Sequence, residues 1–486
     1  MITVLILLVA LGILGWGLYR AQPMGKLGLL AWLQSVVLML PWLLFFGLSA
    51  AGIYMNLAAV LFLLVASTVV YIVLGRQLRA IASQSPTDSS ASPDVSKISI
   101  EPAPVLQTPS PELAEAIAMP AEDVQLVRGI FGIDTFFATE TIPYQDGVIF
   151  RGNLRGDPHA SYEQLSAMLQ TRLGDRYRLF LVEGEDRKPV VVVLPSSNDP
   201  KPTTLTQALL AGVLGLATIA SSLETAGILK GFDFFNQTER YLEVLPISAG
   251  ILLILAAYEL GRRWAARQQQ VRLSPPFFIP AIQIGSFGAL TRFQSLLPNR
   301  SALFDIAFSG PAAGGLLALG MLVAGLVLST PTSLFQIPAE FFQGSILVGT
   351  LARVVLGSAL QQPVVSIHPL VVIGWLGLVM TAINLMPAGQ LDGGRIVQSI
   401  YGRKTAGRTT VATLIVLGIV TLANPLALYW AIVILVLQRN LERPALNELV
   451  EPNDTRAALG LLVLFLMAAT LLPLTPGLAG RLGIGG

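Results

Sequence analysis

Cysteine is absent from the 486 residues, histidine occurs twice, and charged residues make up only 12%. The first absence excludes disulfides, thiolate zinc sites and a cysteine nucleophile, and it leaves the redox compartment open. The second leaves almost no imidazole for metal binding or proton transfer. The third argues against an ordinary soluble protein, in which about 25% of residues are charged. No basic patch with interleaved aromatics occurs and the net charge is +2, so no nucleic-acid partner is expected. Most arginines instead flank apolar runs, as membrane anchors do.

What the chain has in quantity is apolar sequence, 53% of its residues. Runs of about 18 residues or more recur, each long enough to cross roughly 30 Å of hydrocarbon. They predict an all-α polytopic membrane protein of about 8–10 transmembrane helices, with a small soluble α+β domain inserted after the third span. The bilayer is then the first partner.

Residues 1–80 read as an N-terminal block of three spans, at 2–19, 27–48 and 57–75. The first reads as a retained span, because no basic n-region precedes it and no small-residue cleavage site follows. A Ser/Arg-rich transit segment is also missing. Arg20, Lys26, Arg76 and Arg79 mark the cytoplasmic ends by the positive-inside rule. Residues 81–112, rich in Ser and Pro, read as a disordered linker. Residues 113–200 have normal polarity. Helical periodicity at 121–131 and 161–173, and strands at 147–154, 176–183 and 189–194, predict the soluble domain, placed on the cytoplasmic side. Residues 201–486 form the main membrane domain, with spans at 205–223, 242–261, 303–329, 368–387 and 457–472. The run 410–438 is broken by Asn424-Pro425 and reads as one tilted span or as a hairpin of short helices.

Four segments carry the chemistry. The first is Tyr258-Glu259-Leu260-Gly261-Arg262, at the end of an apolar run. An ionisable residue there is expensive and by default functional; the alternative is an interfacial Glu259 paired with an arginine. The second runs from Asn384 through Pro387 to Gly389-Gln390-Leu391-Asp392-Gly393-Gly394-Arg395. Pro387 ends a helix, and Gly393 and its neighbours permit close backbone approach around Asp392. The third is Gly310-Pro311 inside a span, where small residues let helices approach. The fourth, with Ile284, Gly285, Ser286, Phe287 and Gly288, is too polar for a span and reads as a hairpin near the membrane face.

Together with Phe150-Arg151-Gly152-Asn153-Leu154-Arg155-Gly156, Leu297-Pro298-Asn299-Arg300 and His368-Pro369-Leu370, these segments resemble the site-2 protease family of intramembrane zinc metalloproteases. The resemblance is to its cyanobacterial and chloroplast branch, which includes the plant ethylene-dependent gravitropism-deficient and yellow-green proteins, and it covers roughly residues 113–473. It implies a bacterial plasma or thylakoid membrane. In active members H-E-x-x-H places two zinc-binding histidines on one helix face with a general-base Glu between them. An Asp from the L-D-G segment supplies a third ligand.

Here the general-base position is Glu259 and the third-ligand position Asp392, but both histidine positions are lost, to Tyr258 and Arg262. A phenol with a pKa near 10 is a poor ligand, and a guanidinium has no lone pair to give. His159 falls in the soluble domain and His368 at the opposite membrane side. Zinc, the cofactor of active relatives, is therefore not expected here. Arg262 is expected either to stand where the metal would be, between Glu259 and Asp392, or to reach out to water. The resemblance implies that the hairpin 284–291, through Ile284 to Gly288, takes up an extended client peptide as an added strand; a structural lid is the alternative. The sequence thus predicts an inactive protease-like protein that binds membrane-protein clients or an active protease relative. An active peptidase with unusual ligands and a channel or transporter are the rivals.

Overall fold

The structure, a computed structural model, describes residues 119–484 other than 145, 185–187, 422–424 and 436–439, with scattered helical positions before residue 75. The three spans expected within 1–80 lie almost wholly outside these, as does the linker 81–112. Internal packing divides the chain into two units, Met1–Pro102 with Ile419–Leu428, and Ala103–Gly418 with Tyr429–Gly486. The second holds every site residue named above.

Its polar portion is a four-stranded antiparallel sheet with helices on it. α1 (Ala121–Arg128) precedes β1 (Phe136–Tyr144) and β2 (Gly147–Leu154). α2 (Pro158–Leu173), β3 (Tyr177–Glu183) and β4 (Pro189–Pro195) follow, and the strand order is β1-β2-β4-β3. In β2, Val148 and Phe150 face a core and Arg151 faces out, the period of two that a half-buried strand requires. That core holds Phe136, Leu165, Leu181, Val191 and Val193. Gly152 sits where a Cβ would fall 2.1 Å from the Phe137 carbonyl oxygen, which accounts for the glycine in that motif. Asp157 caps α2 by accepting from the His159 and Ala160 amides. β1 was not legible in the sequence. It is an edge strand, fully buried only at Phe136 and interrupted between Ala138 and Glu140, and so lacks clear alternation.

Four helices among the described residues are long and apolar enough to cross a membrane: Leu205–Leu229, Thr238–Gln268, Arg300–Leu328 and Asp454–Leu471. Their α-helical cores are α3 (Leu205–Leu229), α4 (Tyr241–Gln268), α5 (Arg300–Leu328) and, later in the chain, Asp454–Leu471. Large apolar side chains such as Leu205, Leu216, Leu316 and Phe465 are exposed on them. That is the pattern of helices solvated by lipid, where only backbone polar groups must be satisfied internally. The chain is an integral membrane protein.

Between α4 and α5 lies the hairpin of β5 (Phe277–Ala281) and β6 (Gly285–Leu290). After α5 come β7 (Phe335–Pro338), α6 (Ile346–Leu356) and β8 (Val364–Ile367), none of them assigned from sequence. α7 (Pro369–Asn384) is shorter than the expected span 368–387. Its 16 residues cover about 24 Å at 1.5 Å each. It ends at Asn384 because Pro387 and Gly389, with φ of 49°, turn the chain. α7 is also the most enclosed helix, with Val371, Ile373, Leu376 and Met380 all buried. A Cβ on Gly374 would fall 2.4 Å from the Leu322 amide nitrogen of α5, so the two backbones nearly touch.

α8 (Asp392–Val420) is interrupted at Gly402, whose φ is 79°. α8 ends at Val420, Thr421 is in a turn and α9 (Pro425–Val433) is a separate helix, so the run 410–438 is not one continuous helix. α10 (Asp454–Leu471) and α11 (Pro476–Leu482) complete the described chain.

Candidate functional site

Three segments converge on one small buried volume: the middle of α4, the start of α8 and the end of the β5–β6 hairpin. On α4, Tyr258, Glu259 and Arg262 are 4%, 6% and 2% exposed. Arg262 lies one turn from both, at i+4 from Tyr258 and i+3 from Glu259, so its side chain neighbours each of them. Asp392, 2% exposed, begins α8. It is brought there by a tight backbone fold. A Cβ on Gly393 would fall 1.8 Å from the Leu385 carbonyl oxygen, so that position admits only glycine.

Arg262 bridges the two acids. Its Nη1 donates to Glu259 Oε1 at 2.8 Å, and its Nη2 donates to Asp392 Oδ2 at 2.5 Å. Nη1 also reaches Thr291 Oγ1 at 3.1 Å. The Tyr258 hydroxyl donates to the same Asp392 Oδ2, at 2.5 Å. The reading in which Arg262 snorkels to water is therefore not the one adopted. Arg263 approaches Glu259 more loosely, at 4.0 Å. On the far side Arg395 sits 3.7 Å from Asp392 Oδ1, while its Nη2 donates to the Thr291 carbonyl at 3.0 Å and to Glu442 Oε2 at 2.9 Å.

The remaining predicted residues support this cluster. Gly310 and Gly314 of α5 clasp the Tyr258 ring: a Cβ on either would fall 2.8 and 2.7 Å from ring carbons. Pro311 is buried beside them. Asn384 Nδ2 donates to the Phe287 carbonyl at 2.8 Å, tying the end of α7 to β6. Gly288, with φ of 101°, admits that amide closely. Gly285, Ser286 and Phe287 are buried, with Ile284 half-buried. α3 is fastened over the hairpin through Ser221 Oγ to the Gly285 carbonyl and Thr225 Oγ1 to the Ile282 carbonyl, both 2.6 Å. Glu442 and Thr291 were not foreseen as site residues. Thr291 closes the hairpin motif and Arg395 ends the Asp392 motif, so a reading of motif edges would have found them. Glu442, from a segment with no distinguishing pattern, would not have been.

The space among these groups is about 10 Å³, lined by Arg262, Ala289, Thr291, Asn384, Asp392 and Arg395. That is room for about one water molecule. The donor set does not fit zinc. Asp392 Oδ2 and Glu259 Oε1, which face one another across the site, already accept from N–H and O–H groups, and Arg262 brings a fixed positive charge. Among the described residues no group of three His, Asp or Glu side chains is placed to hold a metal. His159 lies on α2, paired with Glu163. His368 caps the far end of α7 from Asn384, about 24 Å away along the helix.

Comparison with known proteins agrees with this architecture. Residues 246–424 match the family described as Peptidase family M50, and residues 125–201 match the EGY3 middle domain. The chain is 38% identical to Probable zinc metalloprotease EGY1, chloroplastic, of Arabidopsis thaliana, over 82% of this chain and 78% of that protein. It is 39% identical to Probable zinc metalloprotease EGY2, chloroplastic, of the same plant, over 74% and 66%. With Arabidopsis Probable zinc metallopeptidase EGY3, chloroplastic, the identity is 31%, over 74% and 66%. No solved structure matches the chain. The chain belongs to the M50, or site-2 protease, family, in the branch that holds the EGY proteins.

Proposed function

We propose that this protein is a site-2-protease-like membrane protein without zinc peptidase activity, which binds membrane-protein clients or an active protease relative. The observation that carries the reading is Arg262 bonded to Glu259 and Asp392 together. A base whose carboxylate already neutralises a guanidinium is poorly placed to take a proton from water. Asp392 Oδ2, which accepts from both Tyr258 and Arg262, is not available to a metal.

Client capture is assigned to the hairpin around Gly285, Ser286 and Phe287, by strand addition. Because β6 is buried and α3 is bonded over it, capture requires α3 to shift. The proposal extends to a chain of about 8–10 spans in a bacterial plasma or thylakoid membrane, with the sheet domain cytoplasmic.

The names of the relatives favour the rival reading, an active peptidase with unusual ligands centred on Glu259 and Asp392. Purified full-length protein in lipid nanodiscs separates the two. Elemental analysis should find no zinc dependent on Asp392, and a model transmembrane substrate should be retained on the protein but not cut. Stoichiometric zinc that disappears in Asp392→Ala, together with cleavage, would overturn the proposal.

A further inference from the structure

The segment 442–449 touches the site at one end and the sheet domain at the other. At the site end Glu442, 8% exposed, accepts from Arg395 Nε at 3.1 Å and Nη2 at 2.9 Å. Its backbone is held on α8 by Gln398, whose Nε2 donates to the Glu442 carbonyl at 3.1 Å and whose Oε1 accepts from the Glu442 amide at 3.0 Å. At the other end the segment pairs with β3: the Leu181 amide donates to the Leu446 carbonyl at 2.8 Å, and the Glu448 amide to the Leu181 carbonyl at 2.9 Å. On its opposite side the Leu446 and Asn447 amides donate to the carbonyls of Leu297 and Pro298, at 2.8 and 3.0 Å. Asn447 Nδ2 adds a bond to the Pro158 carbonyl at the start of α2. The segment thus fills the open edge of β3, the last strand of the sheet, and joins it to the entry of α5.

We propose that residues 442–449 are a strap through which the seating of the sheet domain regulates the ion-pair site, with Glu442 as the positioning residue at the site end. This goes beyond the function proposed above and holds whether or not the site performs chemistry. The link is short and stiff: only Arg443, Pro444 and Ala445 separate Glu442 from Leu446, and Pro444 has a fixed φ. Its action is electrostatic. With Glu442 in place Arg395 has its own acid, and Asp392 is left to Arg262 and Tyr258. If the strap withdraws Glu442, Asp392 becomes the nearest acid to Arg395, at 3.7 Å. Two buried guanidiniums then compete for one carboxylate, and the bond to Arg262 loosens.

The cysteine-free chain allows a direct test. Ala289 is 7% exposed, and its carbonyl faces Arg262 at 3.5 Å. Ala289→Cys in the full-length protein is labelled with a small methanethiosulfonate. Asn447→Ala keeps the backbone–backbone bonds of the strap and removes the side-chain bonds to the Pro158 carbonyl and from the Leu449 amide, and Glu448→Pro removes one backbone bond; each should raise the labelling rate about tenfold, the effect of losing a hydrogen bond or so from a closed state. Glu442→Gln should do the same, and Glu442→Gln combined with Asn447→Ala should add nothing further. Unchanged labelling in Asn447→Ala, checked as folded by elution volume and circular dichroism, would overturn the proposal. So would effects of Glu442→Gln and Asn447→Ala that multiply, because independent sites are additive in free energy.

Discussion

Tyr258 and Arg262, one turn apart on α4, donate to the same oxygen of Asp392, each at 2.5 Å. By the resemblance read from the sequence, these match the two positions at which active members of the family carry zinc-binding histidines. The side chains that replace the ligands converge on the carboxylate that would have completed the metal centre. A covalent-like tie through an ion is replaced by a charge-assisted one.

Removing the cation should be costly. Arg262→Met leaves Glu259 and Asp392 buried with only the looser approaches of Arg263, at 4.0 Å, and Arg395, at 3.7 Å, in place of their close pair, a loss of up to about 3–5 kcal/mol for a broken buried pair. Thermal unfolding of the purified protein in detergent should show the fall. Neutralising the acids in the same chain, with Glu259→Gln and Asp392→Asn, should restore most of it. A triple variant no more stable than Arg262→Met would mean that packing of the Arg262 stem, and not charge, holds the site.

Restoring both histidines should restore a metal site. Residues 258 and 262 share a helix face directed at Asp392, so Tyr258→His with Arg262→His should bind zinc stoichiometrically, as i and i+4 histidines on one face do. Tyr258→His alone should not, because Arg262 would still occupy Asp392. Elemental analysis after dialysis reads both outcomes, and adding Asp392→Ala to the double variant should abolish binding.

The clasp on the Tyr258 ring should be sterically exacting. Gly314→Ala places a methyl 2.7 Å from ring carbon Cδ2. Overpacking of this kind costs about 1–3 kcal/mol. In a Tyr258→Ala background the same change should cost almost nothing, and a double-mutant cycle on thermal stability measures the difference.

The sheet domain should show an alkaline transition. Burial, reinforced by the bond from its hydroxyl to Asp123, pushes Tyr177 up to about 12. A raised folded pKa contributes stability that is complete below the unfolded value near 10 and disappears as pH rises through about 12. Tyrosinate absorbance of the full chain minus that of Tyr177→Phe should isolate one late-titrating phenol. The variant should also lose less stability than the parent between pH 10 and 12.

Much of this was legible in the chain itself, where the signal is local. Apolar length marked α3, α4, α5 and α10 as spans, because a helix must bring that much apolar surface to cross hydrocarbon. Short apolar runs, in β4 the valines 190–193, placed β2, β3 and β4. The glycines at 393 and 394 marked the tight fold around Asp392, since only glycine tolerates a carbonyl at 1.8–2.3 Å from its Cβ position. β1 and β7 were invisible for the same reason in reverse: β1 buries only Phe136 fully and β7 buries no residue fully, which is too little to impose a pattern.

By itself the sequence determined the membrane class and the identities of Tyr258, Glu259, Arg262 and Asp392 at the positions that the family resemblance marks, since these are identities and periods within short windows. It left Arg262 free to pair inward or to reach outward. Only the tertiary structure decided that, because the choice depends on packing across 130 residues that carries Asp392 to α4. The same packing brought Thr291, Arg395 and Glu442 to the site. Buried charges must find partners wherever the fold supplies them, and no local pattern states where that will be.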